Sequence, residues 1–343
     1  EEITLTLDEA IAIGLRDNRD ILLKAEDVLT AQEKVKEAKA GLLPTVSVSG
    51  TITDTRGYYE KDITQKSAQV SLKQYLYKGG KTMNTIKQKQ YDLEVSNSLK
   101  QKAELELVLS IKKAFYTLLL AEDYADLNRG ILDNIQKHLV SFRERYRKGQ
   151  VSESDILSLE SSLDSAQEAY DASLNQVDSG RALLRNLLYL DQDADVVARA
   201  EFAYEPKELA YDEAFLKAMS ARPEIKQYEA QFNSDKKAIE IAKADNRPSI
   251  YASWDYYGKS HAGAAMARNW NDYNVIGLTF SWPIFDGWLT KSKVEQAIID
   301  LKQTQLMQDK AKIDIALELK QAYLDLKDAI AKMRAVESEQ SVY

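Results

Sequence analysis

The stretch Thr45-Val46-Ser47-Val48-Ser49-Gly50-Thr51-Ile52-Thr53 carries an apolar residue or glycine at every even position and a hydroxyl at every odd one. That period of two is the signature of a β-strand with one apolar and one polar face. Pro44 stands just before it and ends any preceding helix, since proline lacks an N–H and restricts the residue before it. Downstream, Ala68, Val70 and Leu72 alternate with Gln69, Ser71 and Lys73. Two more alternating runs occur near the other end of the chain. Ile250, Ala252, Trp254 and Tyr256 interleave with Ser249, Tyr251, Ser253 and Asp255, and Ile276, Leu278, Phe280 and Trp282 with Val275, Gly277, Thr279 and Ser281. The pattern predicts four strands in two hairpins, over about 45–54, 66–77, 248–258 and 273–284. Each approaches the ~9–11 residues that cross a bilayer as a tilted strand.

The two hairpins belong to an internal duplication. Leu7-Asp8-Glu9-Ala10 matches Tyr211-Asp212-Glu213-Ala214 at an offset of 204 residues. The same offset aligns Ala38-Lys39-Ala40 with Ala242-Lys243-Ala244, and Pro44-Thr45-Val46 with Pro248-Ser249-Ile250. Beyond the first strand the offset becomes 208 and aligns Leu76-Tyr77-Lys78-Gly79 with Ile284-Phe285-Asp286-Gly287. The extra residues fall where a hairpin loop absorbs them. Each repeat reads short helix, helix, strand, loop, strand, very long helix. The boundaries are 1–204 and 205–343, with helices over about 8–17 and 20–42 in the first repeat.

From Gly79 to about Tyr146 there is no proline and one interior glycine, Gly130, while apolar and charged residues recur at helical spacing. A helix of that length extends on the order of 100 Å at ~1.5 Å per residue. Near its end Leu132, Ile135, Leu139, Phe142 and Tyr146 step by three and four, a heptad seam. Gly149 breaks the pattern. Ser152 is an N-cap residue type, and a second helix follows to about Leu190 with the seam Ile156, Leu159, Leu163, Ala166 and Tyr170. The expectation is a long antiparallel helical hairpin over 79–190 with its tip at Gly149. A polar segment, 191–210, follows it. The second repeat offers one long helix over about 287–343. The counterpart of the hairpin tip falls beyond Tyr343, so the duplicated plan calls for a further tip and a last helix.

Composition narrows the function. Cysteine is absent, which removes disulfides, thiolate metal sites and cysteine nucleophiles. A net charge of −8 with mixed signs gives no basic footprint for nucleic acid. No run reaches the ~18 apolar residues of a membrane-spanning helix, so any membrane role falls to the strands. Aromatic residues crowd the expected strand ends (Tyr58, Tyr59, Tyr75, Tyr77, Tyr256, Tyr257, Trp270, Tyr273, Trp282) as in the interfacial girdles of outer-membrane barrels. The polar faces carry Lys73 and Asp255, better suited to water than to a dry core. We assign Val46, Val48, Ile52, Val70, Leu72, Ile250, Trp254, Ile276, Leu278 and Phe280 to lipid, and Ser47, Ser253 and Thr279 to a wet lumen. Four strands leave two unpaired edges, which cost several kcal/mol per backbone group in lipid. The barrel must therefore be shared among copies, whose number the strands do not fix. The pattern also admits a soluble coiled-coil scaffold with a small buried sheet.

The junctions carry a resemblance. The A-K-A-x3-P-x-[IV] helix-to-strand junctions at Pro44 and Pro248, the [YF]-x-G strand-to-helix junctions at Gly79 and Gly287, and the Arg145-Tyr146-Arg147-Lys148-Gly149 turn followed by Asp155-Ile156-Leu157 resemble the TolC-type outer-membrane efflux family (the outer membrane factors). The resemblance spans essentially the whole chain. It implies a homotrimer with a 12-stranded β-barrel in the outer membrane and a 12-helix α-barrel through the periplasm. It further implies a periplasmic adaptor protein and an inner-membrane pump as partners in efflux or type I secretion, with no enzymatic role and no cofactor. The turn and its flank (Tyr146, Arg147, Lys148, Gly149, Gln150, Val151, Ser152, Asp155) would then form adaptor contacts and the periplasmic aperture, with Asp155 bonding to a neighbouring hairpin. Asp155 equally fits a first-turn acid favoured by the helix dipole. Gly79, Gly80, Pro283 and Gly287 read as turns; Gly79-Gly80 lacks the surroundings of a phosphate loop. His138 reads as a surface or interhelical residue and His261 as part of an extracellular loop.

Overall fold

The computed structural model of the protein describes residues 2–58, 61–191, 193, 195–200, 210–262 and 270–340. The elements run β1 (Glu2–Leu5), α1 (Leu7–Asp17), α2 (Arg19–Ala40), β2 (Thr45–Tyr58), β3 (Lys61–Lys78), α3 (Lys81–Arg147) and α4 (Glu153–Leu188). They continue with β4 (Asp195–Ala198), α5 (Tyr211–Ala221), α6 (Pro223–Ala244), β5 (Ser249–Ala262), β6 (Trp270–Ser281) and α7 (Leu289–Gln340). Elements at corresponding positions have equal lengths: α1 and α5 have 11 residues each, α2 and α6 have 22, and β2 and β5 have 14. All four long strands form, and three extend past their expected ends; β6 instead spans 270–281, beginning and ending earlier than expected.

The chain divides into two compact units that cut across the repeats, one of Glu1–Glu26 and Lys100–Glu208, the other of Asp27–Leu99 and Leu209–Tyr343. In the first unit the core is Ile111, Phe115 and Leu118 of α3 against Leu184 and Leu188 of α4 and Val196 of β4, all essentially inaccessible to solvent. A Cβ on Gly14 would overlap Ile111, so glycine lets α1 lie directly on α3. The Thr6 hydroxyl and Glu9 carboxylate form a reciprocal capping box that starts α1. Buried Asn18 ends it, accepts from the Asp20 N–H at 2.9 Å to start α2, and donates to the Leu187 carbonyl at 3.1 Å. The opening segment, strand-like in sequence, pairs in parallel with β4, aligning Ile3 with Val196 and Leu5 with Ala198. The polar 191–210 stretch thus contains a strand that its composition hid; residues 201–209 lie outside the described residues.

The second unit holds the sheet β2-β3-β5-β6, antiparallel throughout. The middle pairing, β3 with β5, joins the two repeats. Below the sheet, α6 packs on α7 through bonds that cross between elements: the Asp235 carboxylate accepts from the Thr304 hydroxyl at 2.5 Å, and Arg222 meets Glu318 at 3.0 Å. Among the described residues no helix is long and apolar enough to cross a membrane.

Candidate membrane sheet and helical-hairpin tip

The register lays the alternating residues out in rows. Val46, Leu72, Trp254 and Ile276 stand side by side across the four strands, and Val48, Val70 and Tyr256 form the next row. All share one face with Ile52, Ala252 and Leu278. On the edge strands these side chains stand fully out: Val48 is 76% exposed, Ile276 80% and Leu278 71%. On the inner strands Val70, Leu72 and Ile250 are half-buried, because neighbours flank them on both sides. Near the strand end a bulge between Tyr75 and Tyr77 adds Leu76 to β3, so that Tyr77 rather than Leu76 pairs with Ile250.

The opposite face is polar and internally bonded. The Gln69 amide donates to Asp255 at 3.0 Å and to the Tyr257 hydroxyl at 3.1 Å. The Lys73 ammonium lies 3.9 Å from the Tyr251 ring centroid, and the Tyr257 and Tyr273 rings stack at 5.1 Å. Ser47 aligns with Ser71 and Asp255, and Lys73 with Ser253. A carboxylate and an ammonium on one sheet face are expensive in hydrocarbon and ordinary against water.

The junctions at the sheet's helical end are built from the residues that sequence reading took as turns. Pro44 and Pro248 immediately precede β2 and β5. Gly79 and Gly80 hold φ of +61° and +82°, and Gly287 holds +67°, backbone that glycine adopts without penalty. Pro283 lies past the end of β6 and keeps the strand from continuing. Asp286 accepts from the Thr290 N–H at 2.9 Å and caps α7. One cluster here went unnoticed in the sequence. Asp245 lies 2.6 Å from the Lys81 ammonium and 3.1 Å from Lys293, and Arg247 donates to the Gly79 carbonyl and to Glu240. These cations hold the Asp245 carboxyl below its usual pKa, with the Lys81 hydrogen bond the main cause. Its members come from both repeats, so local composition gave no signal.

At the tip, α3 ends in a paired-bond C-cap. Gln150 N–H donates to the Arg145 carbonyl at 3.0 Å and Gly149 N–H to the Tyr146 carbonyl at 2.8 Å. This Schellman arrangement needs a left-handed residue, and Gly149 supplies it with φ +70°. Ser152 then starts α4. Its hydroxyl accepts from the Asp155 N–H at 3.3 Å, while one Asp155 oxygen accepts from the Ser152 N–H at 2.9 Å. The Ser152 hydroxyl also donates to that carboxylate oxygen at 2.7 Å, and this bond, with the Ser152 N–H bond after it, holds the Asp155 carboxyl below its ordinary pKa. Asp155 therefore serves as the acid of a capping box within its own hairpin. Arg147, Lys148, Gln150 and Ser152 are exposed, Val151 is partly covered, and a Cβ on Gly149 would meet nothing within 4 Å. Behind the tip the seam closes: Leu139 and Ala166 are buried, and Arg143 pairs with Glu160 across the hairpin at 2.7 Å.

His138 lies exposed on α3. His261, expected in a loop, belongs to β5 and pairs with Gln65, because the strand runs on to Ala262. Among the described residues no group of histidine or acidic side chains could hold a metal.

A family model described as outer membrane efflux protein matches residues 13–188 and 216–343. The chain belongs to that family. As a family member it is an outer-membrane protein of a Gram-negative bacterium, extending into the periplasm. It is 24% identical over 295 residues to outer membrane protein TolC of Salmonella enteritidis, an alignment covering 82% of this chain and 59% of that protein. The chain thus spans about three-fifths of that relative's length. Protein CyaE of Bordetella pertussis is 22% identical over 340 residues, covering 96% of this chain and 71% of CyaE. The fold matches the crystal structure of the Campylobacter jejuni CmeC outer membrane channel with a TM-score of 0.77 at 16% identity, over 96% of this chain and 74% of that one. This efflux-family protein therefore shares its strand-and-long-helix plan with a solved outer-membrane channel.

Proposed function

We propose that the protein is one protomer of a homotrimeric exit duct, which passively conducts substrates across the periplasm and outer membrane for a tripartite efflux or type I secretion system. The observation that carries this is the sheet. Its apolar face is open over all four strands, and among the described residues no strand pairs with the outer edge of β2 or of β6. A free sheet of this kind is unstable in water and in lipid alike. Because the order is antiparallel with an even strand count, β6 of one copy can pair with β2 of the next and keep the alternation. Three copies give the 12-stranded barrel that the family resemblance implies. A soluble scaffold with a buried sheet is disfavoured by the same exposed rows.

The reading assigns no chemical step to the chain. It gives the segment Tyr146–Ser152, with Asp155, to contact with a periplasmic adaptor, and relies on an inner-membrane pump for energy. The open space around Gly149 and the exposed cations Arg147 and Lys148 support a docking role. The test is to extract the intact protein from outer membranes in detergent and record single channels in planar bilayers. A heat-sensitive trimer with discrete, long-lived conductance is expected. A monomer that stays soluble without detergent overturns the reading.

A further inference from the structure

The duplication relates two strand-to-helix turns, yet only one of them is packed. At the inner joint a Cβ on Gly79 would lie 2.8 Å from both the Ala244 carbonyl oxygen and the Arg247 Cβ. The Arg247 guanidinium donates to the Gly79 carbonyl at 3.1 Å, and Lys81 pairs with Asp245 at 2.6 Å. The repeat-mate of Gly79 is Gly287. It holds nearly the same backbone, φ +67° against +61°, but nothing lies within 4 Å of its Cβ position. The surface that would fill this space, by the repeat offset, is the end of α2, where Ala40, Gly41 and Leu43 stand in the places of Ala244, Asp245 and Arg247. That surface lies at the open β2 edge, and Leu42 and Leu43 are 49% and 65% exposed. Across the open β6 edge, Phe285, Trp288 and Leu289 are 74%, 66% and 56% exposed.

We infer that Ala40–Leu43 of one copy seats against Phe285–Leu289 of the next, so that a second copy of this chain completes an outer joint of the same geometry as the inner one. The inference rests on the duct reading, in which β6 meets β2 of a neighbour. The chemistry of the outer joint is inverted. Leu289 stands where Lys81 does, Gly41 where Asp245 does, and Leu43 where Arg247 does. The inner joint forms within one chain at high effective concentration, so an ion pair that roughly breaks even against desolvation suffices there. The outer joint must draw separate chains together from water, and apolar burial supplies that drive without a desolvation penalty. The α6 side of the inner joint is a fixed charged socket, whereas the outer joint is dry and adhesive.

Two measurements test this in the intact protein, and the 343 residues of this chain contribute no cysteine to interfere. Leu43→Cys with Leu289→Cys, treated in detergent with a short thiol-reactive crosslinker, should give a ladder of dimers and trimers that neither single variant gives. Arg247→Cys with Lys81→Cys should be bridged within one chain and give no ladder. Independently, Gly41→Asp and Leu289→Lys should each lower the temperature at which the trimer dissociates. Together they should restore most of the loss, by rebuilding at the outer joint the ion pair of the inner one. A stable trimer with no ladder and no rescue overturns the outer joint and leaves the duct reading intact. A protein that never forms an oligomer overturns both.

Discussion

The indole N–H of Trp282 donates to the carbonyl oxygen of Asn246 at 3.3 Å, closing the end of the second β-hairpin onto the end of α6. In the first repeat the Gln74 amide makes the matching bond to the Leu42 carbonyl at 3.0 Å. Donor and acceptor are shifted by 208 and 204 residues, the two offsets of the duplication. Two chemically different side chains thus satisfy the equivalent carbonyl, two residues past the end of α2 and of α6. Trp282→Phe removes the donor alone, and a net loss of about 1 kcal/mol or less is expected, read as a small downward shift in the melting of the detergent-solubilised protein.

The two faces of the sheet should respond oppositely to charge. Val48→Arg, Ile250→Arg and Leu278→Arg each place a guanidinium on the apolar face and should cost roughly 2–4 kcal/mol near the midplane of a bilayer. Ser47→Arg, Ser253→Arg and Thr279→Arg should be far milder. Recovery of heat-modifiable oligomer from outer membranes measures the difference, and equal tolerance of both sets would remove the membrane assignment.

The tip separates backbone from docking effects. Gly149 holds φ +70° in open space, so Gly149→Ala should cost about 1–2 kcal/mol through the left-handed conformation alone. Gly149→Val should cost more, since a β-branched residue resists that region. Faster proteolysis between Arg147 and Ser152, with trimer and barrel retained and adaptor crosslinking reduced, is the expected pattern. Full adaptor crosslinking by Gly149→Val would make the turn an ordinary one.

Asp155 bonds within its own hairpin, so its removal has a local and a distant consequence. Asp155→Ala should fray the first turn of α4, seen as faster amide exchange there. A rise in single-channel conductance, shrinking in 1 M salt where screening acts over ~3 Å, would add a bond to a neighbouring hairpin. Frayed exchange with unchanged conductance would confine Asp155 to its capping box.

Asp245 gives the inner joint a pH dependence with a definite sign. Its carboxyl is held below the usual value by Lys81 and then Lys293. The folded protein therefore binds its proton less readily than the unfolded chain. The stabilisation is present above the ordinary aspartate pKa of about 3.9 and is lost as the pH falls through the lowered folded value. Asp245→Asn should flatten the acid limb of a melting-against-pH curve. An unchanged acid limb would show that the cations do not couple to folding.

Glu122 has the reverse sign. Burial pushes its carboxyl up, against the opposing pull of Arg181 at 3.5 Å. Its contribution falls as the pH rises from the ordinary glutamate value of about 4.3 toward the raised one. Glu122→Gln should flatten the curve over that interval, and a steeper fall would contradict the burial.

The sequence by itself determined the local and periodic features. Alternation at 45–53 and at its three companions set the strands and their faces, because the pleat forces a period of two on any chain that buries or exposes one side. Proline and glycine positions set where helices stop, and heptad steps set the α3–α4 seam. The self-similar offsets marked two copies of one plan. Tertiary structure alone decided what joins distant parts of the chain. The pairing of β3 with β5 made one sheet from two hairpins, and β1 found β4 across nearly the whole first repeat. The bulge at Leu76, the extension of β5 through His261 and the ionic joint of Lys81, Asp245 and Arg247 appeared only there. Periodicity reports which way a side chain points relative to its own backbone. It carries no information about which other backbone arrives to meet it, and contacts between repeats depend on that second quantity.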